Sequence, residues 1–387
     1  MDFELSQSQQ SIVDAVGKLC ARFGDDYWLA RDREATYPHE FHAALATDGW
    51  LGITMPTEYG GAGLGVTEAA LMMRTIAGAG GMTAASAIHI NLFGPHPIVV
   101  HGTAEQKGRW LPALISGAEK TCFGVTEPDA GLDTSRITTF AERVPGGYVV
   151  RGQKIWTTTA QHADRIMLLA RTTPREKAAK PTHGLSLFYT TFDRTKIEVR
   201  RIEKMGRAAV DSNQIFIDGL RIPDTDRIGE EGRGFAYLLD SFNPERILIG
   251  IEAVGIGQDA IRRAARYASE RIVFDRPIGQ NQGIQHPLAE SWMELEAAGL
   301  MALQGAWLYD NGRSCGAQAN AAKYLGAEAA FRACTHAVKT HGGMGYAREF
   351  HVERLLRESM IPLLVPVSSQ MILNYVAERV LGLPRSY

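Results

Sequence analysis

The sequence lacks the features that secreted, zinc-binding and membrane-spanning proteins share. Its four cysteines, Cys20, Cys122, Cys315 and Cys334, form no CxxC pair and have no neighbouring histidines at zinc-ligand spacing. The N-terminal segment MDFELSQSQQ lacks the positive charge and apolar run of a secretory signal, and no apolar run reaches about 18 residues. We therefore expect a cytoplasmic protein with reduced thiols, no bound metal and no membrane partner, unless an organellar transit peptide has been removed.

Neither sign of charge is present in large excess. The 387 residues include 41 basic and 43 acidic side chains, so the net charge is −2. No broad basic surface is available for nucleic acid or an anionic membrane, and an anionic ligand must be bound by a local site. At about 150 residues per domain, the length predicts two to three domains.

Hydrophobic periodicity divides the chain into three parts. Apolar residues recur three and four apart from Gln7 to Ser116, which predicts helices. Short alternating and β-branched runs from Thr121 to Gly232 predict a β-domain, either a barrel or a sandwich. The helical period then returns as far as Val380, with a length and breaks that fit a four-helix bundle. We predict an α+β, mainly α fold with domains at 1–120, 121–232 and 233–387.

A glycine pattern in the last part invites a nucleotide-binding interpretation. Residues Gly255–Ala260, GIGQDA, match the GxGxxA pattern that opens Rossmann units. The preceding residues PERILIGIEAV continue the same helical spacing, so the strand-to-helix turn that such a site needs is missing. We instead predict glycines inside a helix that packs closely against its neighbours.

Three segments resemble the acyl-CoA dehydrogenase family. They are CFGVTEPDAGLDTS at Cys122–Ser135, RYASERIVFDRPIGQNQ at Arg266–Gln282, and THGGMGYAREFHVERLLRES at Thr340–Ser359. The order helix, strand, helix also matches that family over essentially the whole chain. The resemblance implies FAD as cofactor, an acyl-CoA thioester as substrate and an electron-transfer flavoprotein as acceptor. It further implies a homo-oligomer, usually a tetramer, that shares FAD across a subunit interface.

The same resemblance assigns residues to the flavin ring. Phe123, Val125 and Thr126 match the strand that contacts the flavin in relatives, and Trp156 with Thr158 matches the wall on its other side. An aromatic face suits the ring, and hydroxyl and backbone N–H groups can tune its nitrogens. Without the resemblance, Trp156 would be interpreted as an ordinary core residue of a strand.

A second group is assigned to the dinucleotide of an adjacent subunit. Arg271 matches the arginine that binds the pyrophosphate in relatives, and Phe274 and Gln282 lie close to it in the motif. Gly342 and Gly343 match a turn whose backbone approaches phosphate without Cβ obstruction. The alternatives are a solvated arginine at a helix end and a tight interhelical turn.

A few further positions are assigned by the same comparison of motifs. Ser368 and Gln370, near the C-terminus, are assigned to the cofactor. Leu132 stands where relatives commonly have a serine near CoA, and Lys339 where a glutamine commonly precedes the glycine turn. The segment Ile88–Pro97, IHINLFGPHP, is the candidate wall of the acyl cavity, although its bulky apolar residues would equally suit an ordinary core.

The catalytic base is displaced from its most frequent position. Dehydrogenation needs a carboxylate to remove the α-proton while the β-hydrogen leaves as hydride. Many relatives place that glutamate in a C-terminal Glu-Gly-Thr-Ser-Gln loop, where this chain has Pro366, and no acidic residue lies between Glu358 and Glu378. Isovaleryl- and long-chain-type relatives place it before an arginine, and NPERILI matches that arrangement. The resemblance therefore assigns the base to Glu245 and a substrate contact to Arg246.

Local signals around Glu245 predict a helix start. Asn243 is a suitable N-cap and Pro244 a suitable first helical residue, so Glu245 would lie in the first turn. There the helix dipole would lower its pKa, while burial against flavin and acyl chain would raise it. A first-turn glutamate with no catalytic role is the alternative interpretation.

Pro366 raises a separate question about the reaction. In relatives, the backbone N–H at this position donates to the thioester carbonyl, and proline has no N–H. Losing one such donor costs about 3 kcal/mol of transition-state stabilisation. Either Val367 supplies the N–H, or the site performs variant chemistry as a desulfinase, flavin oxidase or monooxygenase. A non-enzymatic binding protein on a decayed fold is a third hypothesis.

Overall fold

The N-terminal part of the computed structural model, which describes residues 4–386, is helical. Its helices are α1 (Gln7–Cys20), α2 (Asp25–Glu34), α3 (His39–Thr47), α4 (Val66–Phe93), α5 (His96–His101) and α6 (Ala104–Ile115). Reciprocal capping boxes begin two of them, Ser6 with Gln9 at α1 and Thr103 with Gln106 at α6. The predicted helical region is confirmed.

The middle part is an eight-stranded sheet. Its strands are β1 (Thr121–Gly124), β2 (Phe140–Val144), β3 (Gly147–Thr158), β4 (Arg165–Arg171), β5 (Leu185–Thr191), β6 (Ile197–Arg201), β7 (Ser212–Pro223) and β8 (Arg227–Ile228). They follow the order β6-β7-β3-β2-β4-β5-β8, with β1 parallel to β4. The predicted β-domain is confirmed, and its end strands β6 and β8 do not pair, so the sheet is not a closed barrel.

Long helices return after the sheet and confirm the mainly helical fold. They are α7 (Gly234–Glu270), α8 (Gln282–Asp310), α9 (Gly316–His341), α10 (Val352–Ser359), α11 (Ile361–Leu364) and α12 (Ser369–Arg379). A short hairpin of β9 (Ile272–Val273) and β10 (Arg276–Pro277) connects α7 to α8. Helix α7 lies against α4, α8 and α9, so it joins the two helical parts.

The glycines of GIGQDA lie inside α7, as predicted. A Cβ on Gly255 would clash with the carbonyl oxygen of Arg74 in α4, and one on Gly257 would lie 2.5 Å from Leu295 in α8. The pattern therefore serves close helix packing, and the Rossmann interpretation is excluded.

Helix α4 is broken at Gly81, where φ is +75°. The second half of the helix points its first free N–H groups at a buried carboxylate: the Thr83 N–H donates to Glu358 at 2.9 Å and the Thr83 hydroxyl at 2.6 Å. Arg354 pairs with the same carboxylate at 3.0 Å. A Cβ at Gly81 would lie 2.7 Å from Glu358, so the break requires glycine.

Helix α4 is largely apolar, although no uninterrupted apolar run in the sequence reaches about 18 residues. Together with α5 it forms a helical segment, Val66–His101, long and apolar enough to cross a membrane. Of its most apolar stretch, 89% is buried inside the protein, as in the core helix of a folded domain. A bent pair, Val352–Leu364 with Ser369–Arg379, meets the same criterion of length and composition.

Candidate functional site

Trp156 projects from the sheet. Its φ is +61°, at an irregularity of the β3–β7 pairing between Lys154 and Thr157, and its side chain is 54% exposed. The neighbouring Ile155 N–H donates to the Thr126 carbonyl at 2.9 Å, which brings the segment after β1 beside β3. The structure therefore places two of the predicted flavin-contacting segments together, and Trp156 is not a core residue.

A buried ion pair fixes the segment after β1. Lys154 Nζ donates to the Val125 carbonyl at 3.0 Å and to Glu127 at 2.9 Å. Burial lowers the pKa of Lys154 to about 8. Burial alone would raise the pKa of Glu127, but the Lys154 ammonium and the N–H groups of Thr138 and Thr139 hold it at about 2. The pair is thus charged at neutral pH and restrains this wall of the site.

Phe123 connects this wall to the helices. Phe123, Val125 and Phe242 pack against one buried cluster, and the Phe123 ring meets the Phe93 ring of α4 edge-on at 5.2 Å. Thr158, at the end of β3, is partly buried. The sheet, the end of α4 and the early part of α7 therefore converge on one place.

The predicted dinucleotide residues form a separate, exposed surface. Phe274 and Asp275 occupy the tip of the β9–β10 hairpin with φ of +51° and +61°, and the Phe274 ring is 93% exposed. The side chains of Arg271 and Gln282 are exposed and make no hydrogen bond or ion pair within residues 4–386. An exposed phenylalanine and an exposed guanidinium without an acidic partner in the described part of the chain fit a surface that binds an anionic ligand.

The glycine turn follows α9, whose last residue, His341, stacks at 4.3 Å on Tyr267 near the end of α7, so the turn and the hairpin start from neighbouring helix ends. Gly342 has φ of +60°, and a Cβ added at Gly342 or Gly343 would meet no atom within 4 Å. The space beside the turn is therefore open to a phosphate, as FAD requires. Lys339 is exposed on the preceding turn of α9, and Leu132 is exposed in the loop after β1.

The predicted helix start at Asn243 is wrong. Helix α7 begins at Gly234 and runs through Pro244, so Glu245 lies well inside the helix. The fully buried Leu238 anchors the earlier turns in the core, and that packing outweighs the single backbone hydrogen bond that an interior proline removes. Neither a first-turn role nor a helix-dipole effect applies to Glu245.

Glu245 is partly buried and makes no hydrogen bond or ion pair within the described residues. Burial raises the pKa of its carboxyl to about 7; the nearby Glu252 raises it further, while His89 and Arg246 oppose the shift. Of the two opposing effects predicted from the sequence, only burial acts on the pKa of Glu245. A free carboxyl with a pKa near neutrality can accept a proton under physiological conditions.

Other buried glutamates in this region are already engaged. Both carboxylate oxygens of Glu358 are bonded to Thr83, and one of them also to Arg354. One oxygen of Glu252 lies 2.6 Å from His89 Nδ1. Of these three carboxyls, Glu245 alone has both oxygens available.

Arg246 is prepared to bind a polar ligand group. Its Nη1 donates to Asn243 at 3.3 Å, and its guanidinium lies 5.7 Å from the Phe242 ring centroid. The buried Nε has no partner. Because an unpaired buried donor is costly, an acceptor from a ligand would stabilise this arrangement.

The segment around Pro366 lies between α11 and α12 and is bonded to a lysine of α9. Lys323 Nζ donates to the Val367 carbonyl at 2.6 Å. The Val367 N–H has no acceptor within residues 4–386. Ser368 accepts from the Met371 N–H at 3.4 Å and so caps α12, a role that was not predicted, and Gln370 is exposed.

The expected contribution of Ile88–Pro97 to a cavity is visible. A largely apolar cavity of about 120 Å³ is lined by Leu92, Phe93 and His96 together with Pro244 and Leu248 of α7. The cavity adjoins the residue before Glu245. No group of three or more His, Cys, Asp or Glu side chains suited to a metal ion occurs among residues 4–386.

Comparison with known proteins identifies the family of this chain. Family models for the acyl-CoA dehydrogenase N-terminal, middle and C-terminal domains match residues 6–118, 122–220 and 232–381. Acyl-CoA dehydrogenase FadE12 of Mycobacterium tuberculosis is 36% identical over 388 residues, covering 99% of this chain and 98% of that protein.

Solved structures agree with this assignment. Butyryl-CoA dehydrogenase from Megasphaera elsdenii superposes with a TM-score of 0.94 at 27% identity, covering 98% of this chain and all of that one. The FAD complex of PigA gives 0.92 at 27% identity, covering 99% and 100%. The chain belongs to the acyl-CoA dehydrogenase family, FAD-dependent oxidoreductases that act on CH–CH bonds.

Proposed function

We propose that the protein dehydrogenates an acyl-CoA thioester between Cα and Cβ, with Glu245 as the base. The observation that carries this proposal is the free, partly buried Glu245 carboxyl, whose pKa is raised to about 7. A base with a pKa near the working pH combines a useful fraction of carboxylate with good proton affinity. Its neighbour Arg246 has an unpaired Nε to position the substrate.

The cofactor surfaces described above support this assignment. Phe123, Val125, Thr126, Trp156 and Thr158 would contact the flavin ring, and FAD, when bound, would accept the β-hydrogen as hydride. The exposed surface of hairpin and glycine turn would hold the dinucleotide of a neighbouring subunit. Glu245 receives the α-proton, so the thioester loses one proton and one hydride and becomes the α,β-unsaturated thioester.

The thioester carbonyl needs donors as negative charge develops on its oxygen. Pro366 offers none, but the Val367 N–H one residue later has no acceptor within the described residues. Lys323 fixes the Val367 carbonyl at 2.6 Å, which limits how far this residue can rotate. We assign the donor role to Val367, because a restrained free N–H is the kind of group that stabilises an oxyanion.

The test compares flavin bleaching in wild type and Glu245→Gln. FAD-loaded protein is mixed anaerobically with a panel of acyl-CoAs of different chain length and branching. Wild type should bleach with at least one of them, and Glu245→Gln should lose at least a thousandfold in rate. Glu105→Gln, an exposed glutamate on α6, is the matched control and should bleach at the wild-type rate. Undiminished reduction by Glu245→Gln would remove Glu245 as the base.

We further propose a homo-oligomer that shares FAD and passes electrons to an electron-transfer flavoprotein. Large apolar side chains are exposed along α8, namely Trp292, Met293, Leu300 and Trp307, and a second copy would cover them. Light scattering of wild type and Trp307→Glu should show a larger assembly for wild type. A monomeric wild type with tightly bound FAD would contradict the shared site.

Pro366 favours a second candidate on the same fold. If Val367 cannot donate to the thioester, elimination of a β-substituent or oxygen-dependent chemistry becomes the better hypothesis, in a desulfinase, flavin oxidase or monooxygenase. Flavin that no acyl-CoA bleaches, in a protein that nevertheless consumes oxygen or releases a β-substituent, would support it. Val367→Pro separates the two, because removing the remaining N–H should abolish dehydrogenation.

A further inference from the structure

A buried polar pair lies between α4 and α7. His89 Nδ1 and Glu252 Oε1 are 2.6 Å apart, and Glu252 is fully buried. The other carboxylate oxygen of Glu252, Oε2, has no hydrogen-bond partner. A buried carboxylate oxygen without a donor is unfavourable, so a ligand group that donates to Oε2 would stabilise this arrangement.

The pair lies along the same helix face as the proposed base. Glu252 follows Glu245 by seven residues, which places it on the same face of α7 and about 10 Å farther along the axis. On α4, the His89 ring contacts the Phe93 ring in a tilted arrangement. The Phe93 ring in turn contacts the ring of Phe123, one of the predicted flavin-contacting residues. An acyl chain that presents Cα to Glu245 and extends along this face for about 10 Å would reach the pair.

The charges around the pair decide which ligand group it accepts. Burial lowers the pKa of His89, but the Glu252 and Glu245 carboxylates outweigh that effect and raise it. Arg207, bonded to Ser86 at 2.8 Å, adds a second cation nearby. Protonated His89 and Arg207 balance the two carboxylates, so an ammonium or a carboxylate ligand would add an unbalanced buried charge, and a neutral donor is the favoured group.

We propose that the acyl group of the substrate carries a hydroxyl that donates to Glu252 Oε2. The inference rests on the proposed function, because Glu245 sets the position of Cα. A separation of about 10 Å corresponds to an extended chain of roughly eight atoms, so the hydroxyl lies towards the end of a medium-length acyl chain. A plain alkyl chain would leave Oε2 unpaired and is discriminated against.

The apolar cavity beside Pro244 and Leu248 offers an alkyl chain a different place. Neither His89 nor Glu252 lines this cavity. Substrates with and without the hydroxyl therefore report which of the two directions the acyl chain takes.

The experiment uses FAD-loaded protein and matched pairs of CoA thioesters. Dissociation constants for Glu245→Gln are measured by calorimetry with 6-hydroxyhexanoyl-CoA and 8-hydroxyoctanoyl-CoA, each against its unsubstituted parent, and with 8-aminooctanoyl-CoA. Turnover by wild type is measured with the same compounds. At one chain length or both, the hydroxylated compound should bind at least tenfold more tightly than its parent and than the amino compound, and show the higher kcat/KM.

Two variants test whether the pair causes the preference. The double variant His89→Leu/Glu252→Leu replaces the pair by apolar groups and should bind parent and hydroxylated compounds equally. Should the double variant fail to fold, Glu252→Gln keeps an acceptor for His89 and replaces the free oxygen by a donor, and should cut the preference at least threefold.

The outcomes separate this inference from the proposed function. Equal constants within both pairs, a preference for the amino compound, or a preference that survives in the double variant would overturn the hydroxyl site. Flavin that no compound bleaches would instead overturn the proposed function, and a hydroxyl preference that persists in the dissociation constants would leave the subsite standing.

Discussion

Replacing Glu245 by glutamine should stabilise the protein at high pH while removing its activity. Burial raises the pKa of this carboxyl from 4.5 to about 7. Native protein therefore holds the proton more tightly than unfolded chain, and wild type loses stability as pH rises from 4.5 to 7. Two and a half pKa units correspond to about 3 kcal/mol. Glutamine stays neutral and avoids that loss.

For a chain of this length, about 3 kcal/mol corresponds to a shift of roughly 4 °C in Tm. The difference in Tm between Glu245→Gln and wild type should thus be larger at pH 8 than at pH 5 by about that amount, as measured by calorimetry on protein freed of acyl-CoA. Glu105→Gln corrects for the loss of one surface charge. A difference that does not change with pH, or that falls as pH rises, would refute the argument from burial.

Three other predictions concern parts of the site. With wild type, kcat/KM should fall about tenfold per pH unit below pH 7, because Glu245 must be ionised to accept the α-proton; a flat profile from pH 5 to 7 would contradict this. Lys323→Met removes the donor to the Val367 carbonyl and should slow flavin reduction about tenfold without loss of bound FAD. An unchanged rate would contradict the proposal that the Val367 N–H donates to the thioester carbonyl. Gly81→Ala forces a Cβ against the Glu358 carboxylate at positive φ and should cost about 1–3 kcal/mol in denaturant unfolding; Gly78→Ala, whose Cβ would have only an ordinary contact at 3.5 Å, is the control.

The resemblance of three segments identified the family, and hydrophobic periodicity identified the sheet between two helical parts, because both signals are local in the sequence. The same spacing failed at Asn243, where an N-cap followed by proline is a sound local signal for a helix start. Burial of Leu238, which belongs to the tertiary core, extends the helix back to Gly234. Propensity is a weak guide where packing decides.

Other features of the site had no local signal at all. His89 lies in the segment Ile88–Pro97, but nothing in the sequence indicates its pairing with Glu252, 163 positions away. The exposure of Trp156 depends on an irregularity in the pairing of β3 with β7, which a run of strand-forming residues does not reveal. Contacts of this kind come from the fold, so a sequence can nominate Glu245 without showing what surrounds it.

The break at Gly81 separates α4 into two halves with different roles. The residues before Gly81 pack against α7 through the Arg74 carbonyl, while the residues after it carry His89 and Phe93 towards the proposed substrate. Glu358 secures the start of the second half as an N-cap secures the start of an independent helix. The second half can therefore change its side chains to suit a different acyl group while the first half keeps its packing, so substrate preference can diverge among such proteins without a change of scaffold.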